Sequence, residues 1–270
     1  MIRAIRPGLW PAVVLLVVLA AMAAVPGLFT GADPDAADLN ATFAPPGPDH
    51  WLGTDENGRD LWARIVHGAR PSLLIGGGAV AVALLGGAVV GVTAAQLGGL
   101  ADQALSRSLE VLLSVPWLLL VFLVVAVMGP GTFPAMVGLA LVSLPGFARV
   151  VRAEVLRLRA APFVEAARGF GWSRLQVTVR HVVPNALGPV LALATVTLGA
   201  TIVAGSSLSF VGLGPQPPTA EWGAMLAASR RTLSVAWWPA AFPGVALTLA
   251  VLAITAVGQE LQRRADGRHL

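Results

Sequence analysis

The 270-residue chain has no cysteine and no tyrosine, and all 18 of its basic residues are arginine, so lysine is absent too. Without cysteine there is no disulfide, no thiolate nucleophile and no Cys-ligated zinc or iron–sulfur centre. Without lysine the chain cannot build the Gly-rich phosphate loop that ends in Lys-Ser/Thr, so it carries no standard ATP-hydrolysing site, and Schiff-base chemistry is excluded as well. Without tyrosine, aromatic anchoring at a membrane interface falls to tryptophan. Charge is also scarce: 12% of the residues are Asp, Glu, Lys or Arg, where a soluble domain has about a quarter.

What is present instead is apolar. Hydrophobic residues make up 56% of the chain and the mean hydropathy is +0.76. A soluble fold of this size would expose too much apolar surface, which excludes an ordinary globular enzyme, a disordered chain and a coiled coil. Six apolar stretches qualify as membrane spans or come close: Trp10 to Phe29, Pro71 to Leu97, Val111 to Met128, Phe133 to Phe147, Ala186 to Val211 and Trp237 to Val257. A helix needs about 20 apolar residues to cross a bilayer core. None of the six contains Asp, Glu, Arg or His, which argues against an intramembrane proton or ion relay.

The arginines set the orientation. With the N-terminus inside and six alternating spans, 13 of the 18 arginines fall in cytoplasmic segments, against five outside with most of the aspartates. The positive excess is therefore a topology signal and requires no nucleic acid. Arg3, Arg6, the apolar run and Ala21-Met22-Ala23 also have the pattern of a cleavable signal peptide. The segment is nevertheless expected to stay as a span. Both termini are then expected in the cytoplasm.

Between the first two spans lies a segment, 31–70, rich in Pro, Gly and Asp, with a short helix expected around Asp60 to His67. Its His50, Asp55, Glu56 and Asp60 match no metal-ligand spacing and read as turn structure, with Thr54 and Asp55 as turn caps. Gly87 and Gly91 form a small-xxx-small pair that lets helices approach closely. Trp10, Trp237 and Trp238 read as interfacial anchors.

The longest inner segment, 148–185, carries seven arginines. Pro162 can open a helix, Glu165 in its first turn suits the helix dipole, and Gly169 and Gly171 end it. Phe163, Ala166 and Ala167 share a face at helical spacing. Ser173 and Gln176 form a capping box that opens the next helix. A short apolar-faced helix beside a membrane suits a protein groove, or else lies on lipid. His181 beside Arg180 reads as packing.

Glu165-Ala166-Ala167, three residues, then Gly171 resembles the EAA loop of ABC-importer permeases, and His181-Val182-Val183-Pro184-Asn185 resembles the version of the peptide and nickel importers, with Val at two positions usually Ile and Leu. His50 to Asp60 resembles the segment after the first span of the C-type subunit in that group, and Phe210 to Pro218 with Trp222-Gly223 resembles its loop before the last span. The resemblance implies an all-α membrane protein with six transmembrane helices, a cytoplasmic EAA coupling helix and the MetI-like permease fold. It implies a division into an N-terminal helix (1–30), an extracytoplasmic segment (31–70), a permease domain (71–262) with its coupling loop at 160–185, and a tail (263–270).

The function so implied is that of a non-catalytic permease subunit of an ATP-driven peptide importer, working by alternating access. Its expected partners are a homologous B-type permease, two ABC ATPase subunits or domains and an extracytoplasmic solute-binding protein, all around a lipid bilayer. No cofactor is expected on this chain, ATP and Mg belonging to the ATPases. Phe163, Glu165, Ala166, Ala167, Arg168, Gly169, Gly171 and Arg174 are the candidates for ATPase coupling. Thr195, Thr197, Thr201, Ser206 and Ser207 are candidates for the pathway lining, against hydrogen bonding to neighbouring helices. Glu221 and Trp222 are candidates for contact with the binding protein. The alternatives are a permease for nickel or another small solute, a secondary transporter or channel without an ATPase, an export permease, and a structural subunit without a pathway.

Overall fold

The computed structural model describes residues 9–266. Among these the regular secondary structure is all helical apart from one isolated antiparallel bridge, Thr54 with Asp60. Ten α-helices follow in order: α1 (Trp10–Ala24), α2 (Leu61–Leu97), α3 (Gly99–Ser114), α4 (Trp117–Met128), α5 (Thr132–Arg159), α6 (Pro162–Gly169), α7 (Arg174–Val177), α8 (Val183–Phe210), α9 (Trp222–Ser229) and α10 (Trp238–Asp266). Short 3-10 turns at Pro26–Leu28 and Leu39–Ala41 interrupt the long connection before α2, and a π-turn, Thr178–Val182, joins α7 to α8.

All six apolar stretches are helical, but they are not six equal spans. Four helices are long and apolar enough to cross a membrane unbroken: Leu61–Leu97, Thr132–Arg159, Arg174–Phe210 and Trp238–Arg263. The third stretch is broken. α3 and α4 meet at 92°, because Pro116 has no N–H to donate and forces Val115 into an extended conformation. The first stretch stops early. α1 has 15 residues, about 22 Å of helix against a hydrocarbon core of about 30 Å, and Pro26 follows in a separate turn. The second starts well before its apolar run. Asp60 caps the Ala63 N–H at 2.8 Å, so the short helix expected at Asp60 to His67 is simply the first turns of α2, with Pro71 inside it.

Two clusters of buried side chains hold the bundle. The larger lies where α2, α4, α5 and α8 meet, around Ile75, Val121, Leu139, Phe147 and Leu208. Gly87 and Gly91 sit at its centre. A methyl group on Gly87 would lie 2.6 Å from Phe147 Cβ, and one on Gly91 would lie 2.5 Å from the Ala148 carbonyl. The pair packs α2 on α5 within the chain, as expected. The smaller cluster joins α1, the start of α2, α9 and α10, around Leu19, Val66, Trp222 and Ala250. The bundle has two chemically distinct ends: an acidic end formed by the 30–60 segment and the 211–237 loop, and an arginine-rich end formed by α6, α7 and their flanks.

Candidate functional site

At the arginine-rich end the local signals fold as written. Pro162 starts α6, Glu165 lies in its first turn and Arg168 in its last. The exit runs through Gly171 at φ +84, left-handed backbone that suits glycine. Its N–H reaches the Arg168 carbonyl at 2.9 Å, and the Trp172 N–H reaches Ala167. Ser173 and Gln176 form the reciprocal capping box of α7, their two bonds measuring 3.3 and 2.9 Å.

The α6 face that packs on the bundle differs from the expected one. Val164 is its one fully buried side chain and Ala167 packs half-buried against the main core. Phe163, Glu165, Ala166, Arg168 and Gly169 are exposed, as are Gly171 and Arg174. Phe170 is 85% exposed and Leu175 71%. Of the three residues expected to share a docking face, Ala167 turns inward and the other two join an uncovered apolar surface with Phe170 and Leu175. Val164 was missed because it lies three residues before Ala167 on a face that only the neighbouring α5 and α7 define. Behind this surface Trp172 packs on the His181 ring at 5.0 Å between centroids, with the Arg180 guanidinium 5.5 Å from the indole centre. Packing is thus the role of His181.

The loop is braced from beneath. Arg152 of α5 holds Asp102, in the first turn of α3, with two bonds of 2.5 and 2.6 Å. Gln96 at the end of α2 donates to Thr178 Oγ1 at 2.5 Å, and Arg159 donates to the Ala95 carbonyl.

The hydroxyls of α8 divide. Thr201 and Ser206 are buried, Thr195 and Thr197 half-buried, and Ser207 exposed. Thr195, Thr201 and Ser207 donate to Ala192, Thr197 and Val203 carbonyls of their own helix, so bonding to neighbouring helices is not what these three do. Only Thr195, Thr197 and Ser207 keep surface that a pathway can use.

At the acidic end the structure corrects the expectation for Glu221 and Trp222. Both side chains are fully buried. The Glu221 carboxylate accepts from Ser72 Oγ at 2.9 Å and from the Gly223 and Ala224 N–H groups, capping α9. The Trp222 indole N–H donates to the Ile65 carbonyl at 3.0 Å. Neither side chain is presented to a partner; together they tie α9 to α2. The Trp238 indole donates to the Thr54 carbonyl inside the chain, while Trp10 and Trp237 are more than half exposed. His50 pairs with Asp60 at 3.0 Å, and Asp55 accepts from the Asn57 and Arg59 N–H groups. These are turn and cap roles. No group of three metal-ligating side chains exists among the described residues.

Residues 87–268 match the family model described as binding-protein-dependent transport system inner membrane component. The chain belongs to that family. The permease is 39% identical over 221 residues to the dipeptide transport system permease protein DppC of Alkalihalophilus pseudofirmus, covering 82% of this chain and 73% of that protein. It is 40% identical over 215 residues to the di/tripeptide transport system permease protein DppC of Pseudomonas aeruginosa, covering 80% of this chain and 71% of that protein. Among solved structures it is similar to the inward facing MetNI methionine ABC transporter, with a TM-score of 0.60 at 21% identity, covering 76% of this chain and 97% of that one. This likeness shows the fold, which is the MetI-like permease fold. The chain is therefore a non-catalytic, multi-pass inner-membrane permease of an ABC transport system.

Proposed function

We propose that the permease forms half of the translocation pathway of an ATP-driven importer for di- or oligopeptides. The relatives that it resembles along most of its length are C-type peptide permeases. The observation that carries the mechanism is the uncovered face of α6 and its exit. Phe163, Ala166, Phe170 and Leu175 leave apolar surface open beside Glu165, Arg168 and Arg174, at the end of the molecule that the arginine count assigns to the cytoplasm. A helix held by one buried valine and offering aromatic and charged side chains fits a protein groove better than lipid.

In this reading two ABC ATPase subunits, which bind ATP and Mg, seat α6 in a cleft. Phe163, Glu165, Ala166, Ala167, Arg168, Gly169, Gly171 and Arg174 form the coupling element, with Ala167 and Gly171 setting its shape. Nucleotide-driven closure of the ATPases moves α6, and the bundle alternates between inward and outward openings. Thr195, Thr197 and Ser207 face the pathway shared with a homologous B-type permease. An extracytoplasmic binding protein delivers peptide to the acidic end. The chain crosses the bacterial inner membrane with both termini in the cytoplasm, α1 and the bent α3–α4 pair being its short and broken crossings. The functional division is a first helix, an extracytoplasmic segment to about the first turns of α2 and a permease domain from there to the tail.

The test is a detergent pull-down of the tagged permease from cells expressing the whole transporter, beside a Glu165→Arg, Gly171→Leu double variant. The expected result is an ATPase and a second permease with the unchanged chain, and loss of the ATPase alone with the variant. An unchanged chain that comes down without an ATPase sinks the importer reading. A variant that keeps the ATPase removes α6 from the contact.

A further inference from the structure

The coupling element is joined covalently to α5 and α8, and those two helices are the obvious receivers of its movement. The side chains add a third. Arg159, the last residue of α5, donates to the Ala95 carbonyl. Thr178, the first residue of the π-turn leading to α8, accepts from the side-chain amide of Gln96 at 2.5 Å and donates onward to the Arg174 carbonyl at 2.8 Å. Both ends of the segment that carries α6 are thus fastened to two consecutive residues of α2. The attachment follows from helix chemistry. α2 ends at Leu97, so the Ala95 carbonyl lies in its last turn, where intrahelical donors run out. Ala95 and Thr178 are both buried, so each bond has one end out of water.

α2 then runs without interruption from this clasp to the acidic end. Its 37 residues are about 55 Å of helix. At the far end the Ile65 carbonyl of the same helix accepts from the Trp222 indole, and its Ser72 donates to Glu221. One continuous helix therefore touches the coupling loop at one end and the α9 loop at the other. The π-turn that starts at Thr178 widens the helix where it meets Gln96, and such turns mark functional irregularities.

We propose that Gln96 and Thr178 are positioning residues that make α2 a direct receiver of coupling-helix movement. The proposal rests on the reading of α6 as the ATPase contact. If the clasp only held the fold together, its loss would weaken assembly. If it positions, its loss leaves assembly and ATP hydrolysis in place and disconnects them from the bundle.

The experiment uses the complete importer in lipid nanodiscs. The chain has no cysteine of its own, so Ser207→Cys is a unique maleimide reporter on this subunit. Labelling is compared without nucleotide and after trapping with ATP, Mg²⁺ and orthovanadate, for the parent chain and for Gln96→Ala, Thr178→Val and Thr178→Ser. In Gln96→Ala and Thr178→Val we expect the ATPase to co-purify and hydrolysis to stay within about twofold, while the nucleotide-dependent change in labelling falls about fivefold or more, the scale of an allosteric coupling factor. Thr178→Ser, which keeps the hydroxyl, should restore the change. A parent-sized change in both deletions overturns the proposal, and so does loss of the ATPase from both, which would make the clasp structural. A parent chain whose labelling ignores nucleotide, or a Glu165→Arg, Gly171→Leu variant that retains the ATPase, overturns the coupling reading itself and this proposal with it.

Discussion

The two ends of the permease carry motifs of similar prominence and use them in opposite ways. At the acidic end the polar residues that fix the fold face inward. Thr54 is buried and its hydroxyl donates to the Ala41 carbonyl at 2.5 Å. Arg64 is buried and contacts Asp35, Asp55 and the Pro34 and Pro218 carbonyls. Glu221 and Trp222 have no exposed surface. At the arginine-rich end most side chains of α6 and its exit face outward, and α6 is attached through buried Val164 and half-buried Ala167. Buried polar groups with all partners inside the chain are there to shape it. Exposed apolar and charged groups on a short helix are there for something else to cover. Burial separates the two roles where motif strength alone does not.

The comparison breaks most visibly at Arg64. Arg64→Ala should leave the exposed Asp35 without its cation and strip the Pro34 and Pro218 carbonyls of a charged donor, and hydrogen bonds of that kind are worth about 1.5–3 kcal/mol each. The expected outcome is a large fall in detergent-extracted folded protein and in its melting temperature, read by fluorescence-detected gel filtration. A normal melting profile would show that the acidic end is held by its turns and not by this cation. Gly223→Ala probes the same end by sterics. A methyl group there would collide with the Ser206 backbone of α8, and overpacking of this kind costs about 1–3 kcal/mol. A smaller fall in the same melting assay is expected, and a melting point equal to the parent's would mean that α9 shifts freely on α8.

A paired change sharpens the contrast at the other end. Val164→Ala removes buried apolar volume and should destabilise the attachment of α6 by about 1–2 kcal/mol. Phe163→Ala, one residue away and exposed, should leave stability within about 0.5 kcal/mol while weakening capture of the ATPase. Hydrogen exchange of residues 160–177 and ATPase pull-down, measured on both variants, read the two effects separately. If Phe163→Ala loosens the loop as much as Val164→Ala, the division into an inward and an outward face of α6 is wrong.

How much of this was legible in the sequence follows from the range of the forces involved. Pro162, Gly171 and the Ser173–Gln176 pair act within a few residues of themselves, so they were readable. So was the Gly87–Gly91 approach, whose signal is the absence of side chains at helical spacing. The Pro116 break was present in the sequence but hidden inside an apolar run. The order of the 30–60 segment was not readable, because Arg64 with Pro218 and Trp238 with Thr54 are bonds across more than 150 residues. The burial of Glu221 depends on Ser72, equally remote. Gln96 carries no local signal at all, since its partner Thr178 is 82 positions away.

The smallest effect tests the local signal by itself. Ser173 is exposed, and its hydroxyl accepts only from the Gln176 N–H, so nothing but the first turn of α7 depends on it. Replacing an N-cap serine by alanine costs about 1 kcal/mol. Ser173→Ala should therefore leave the melting temperature of the whole permease unchanged within about 0.5 kcal/mol of stability, because the global transition is set by the bundle and its acidic end. The cost should appear locally, as roughly fivefold faster hydrogen exchange in 173–178, since α7 can open without the bundle opening. The Thr178 clasp lies one turn further on, and Thr178 also bonds the Arg174 carbonyl. Faster exchange that spreads past Thr178 into α8 would show that the loop and the bundle open together. Exchange that stops at Thr178 would show that the clasp is where the mobile end of the permease meets the rigid one.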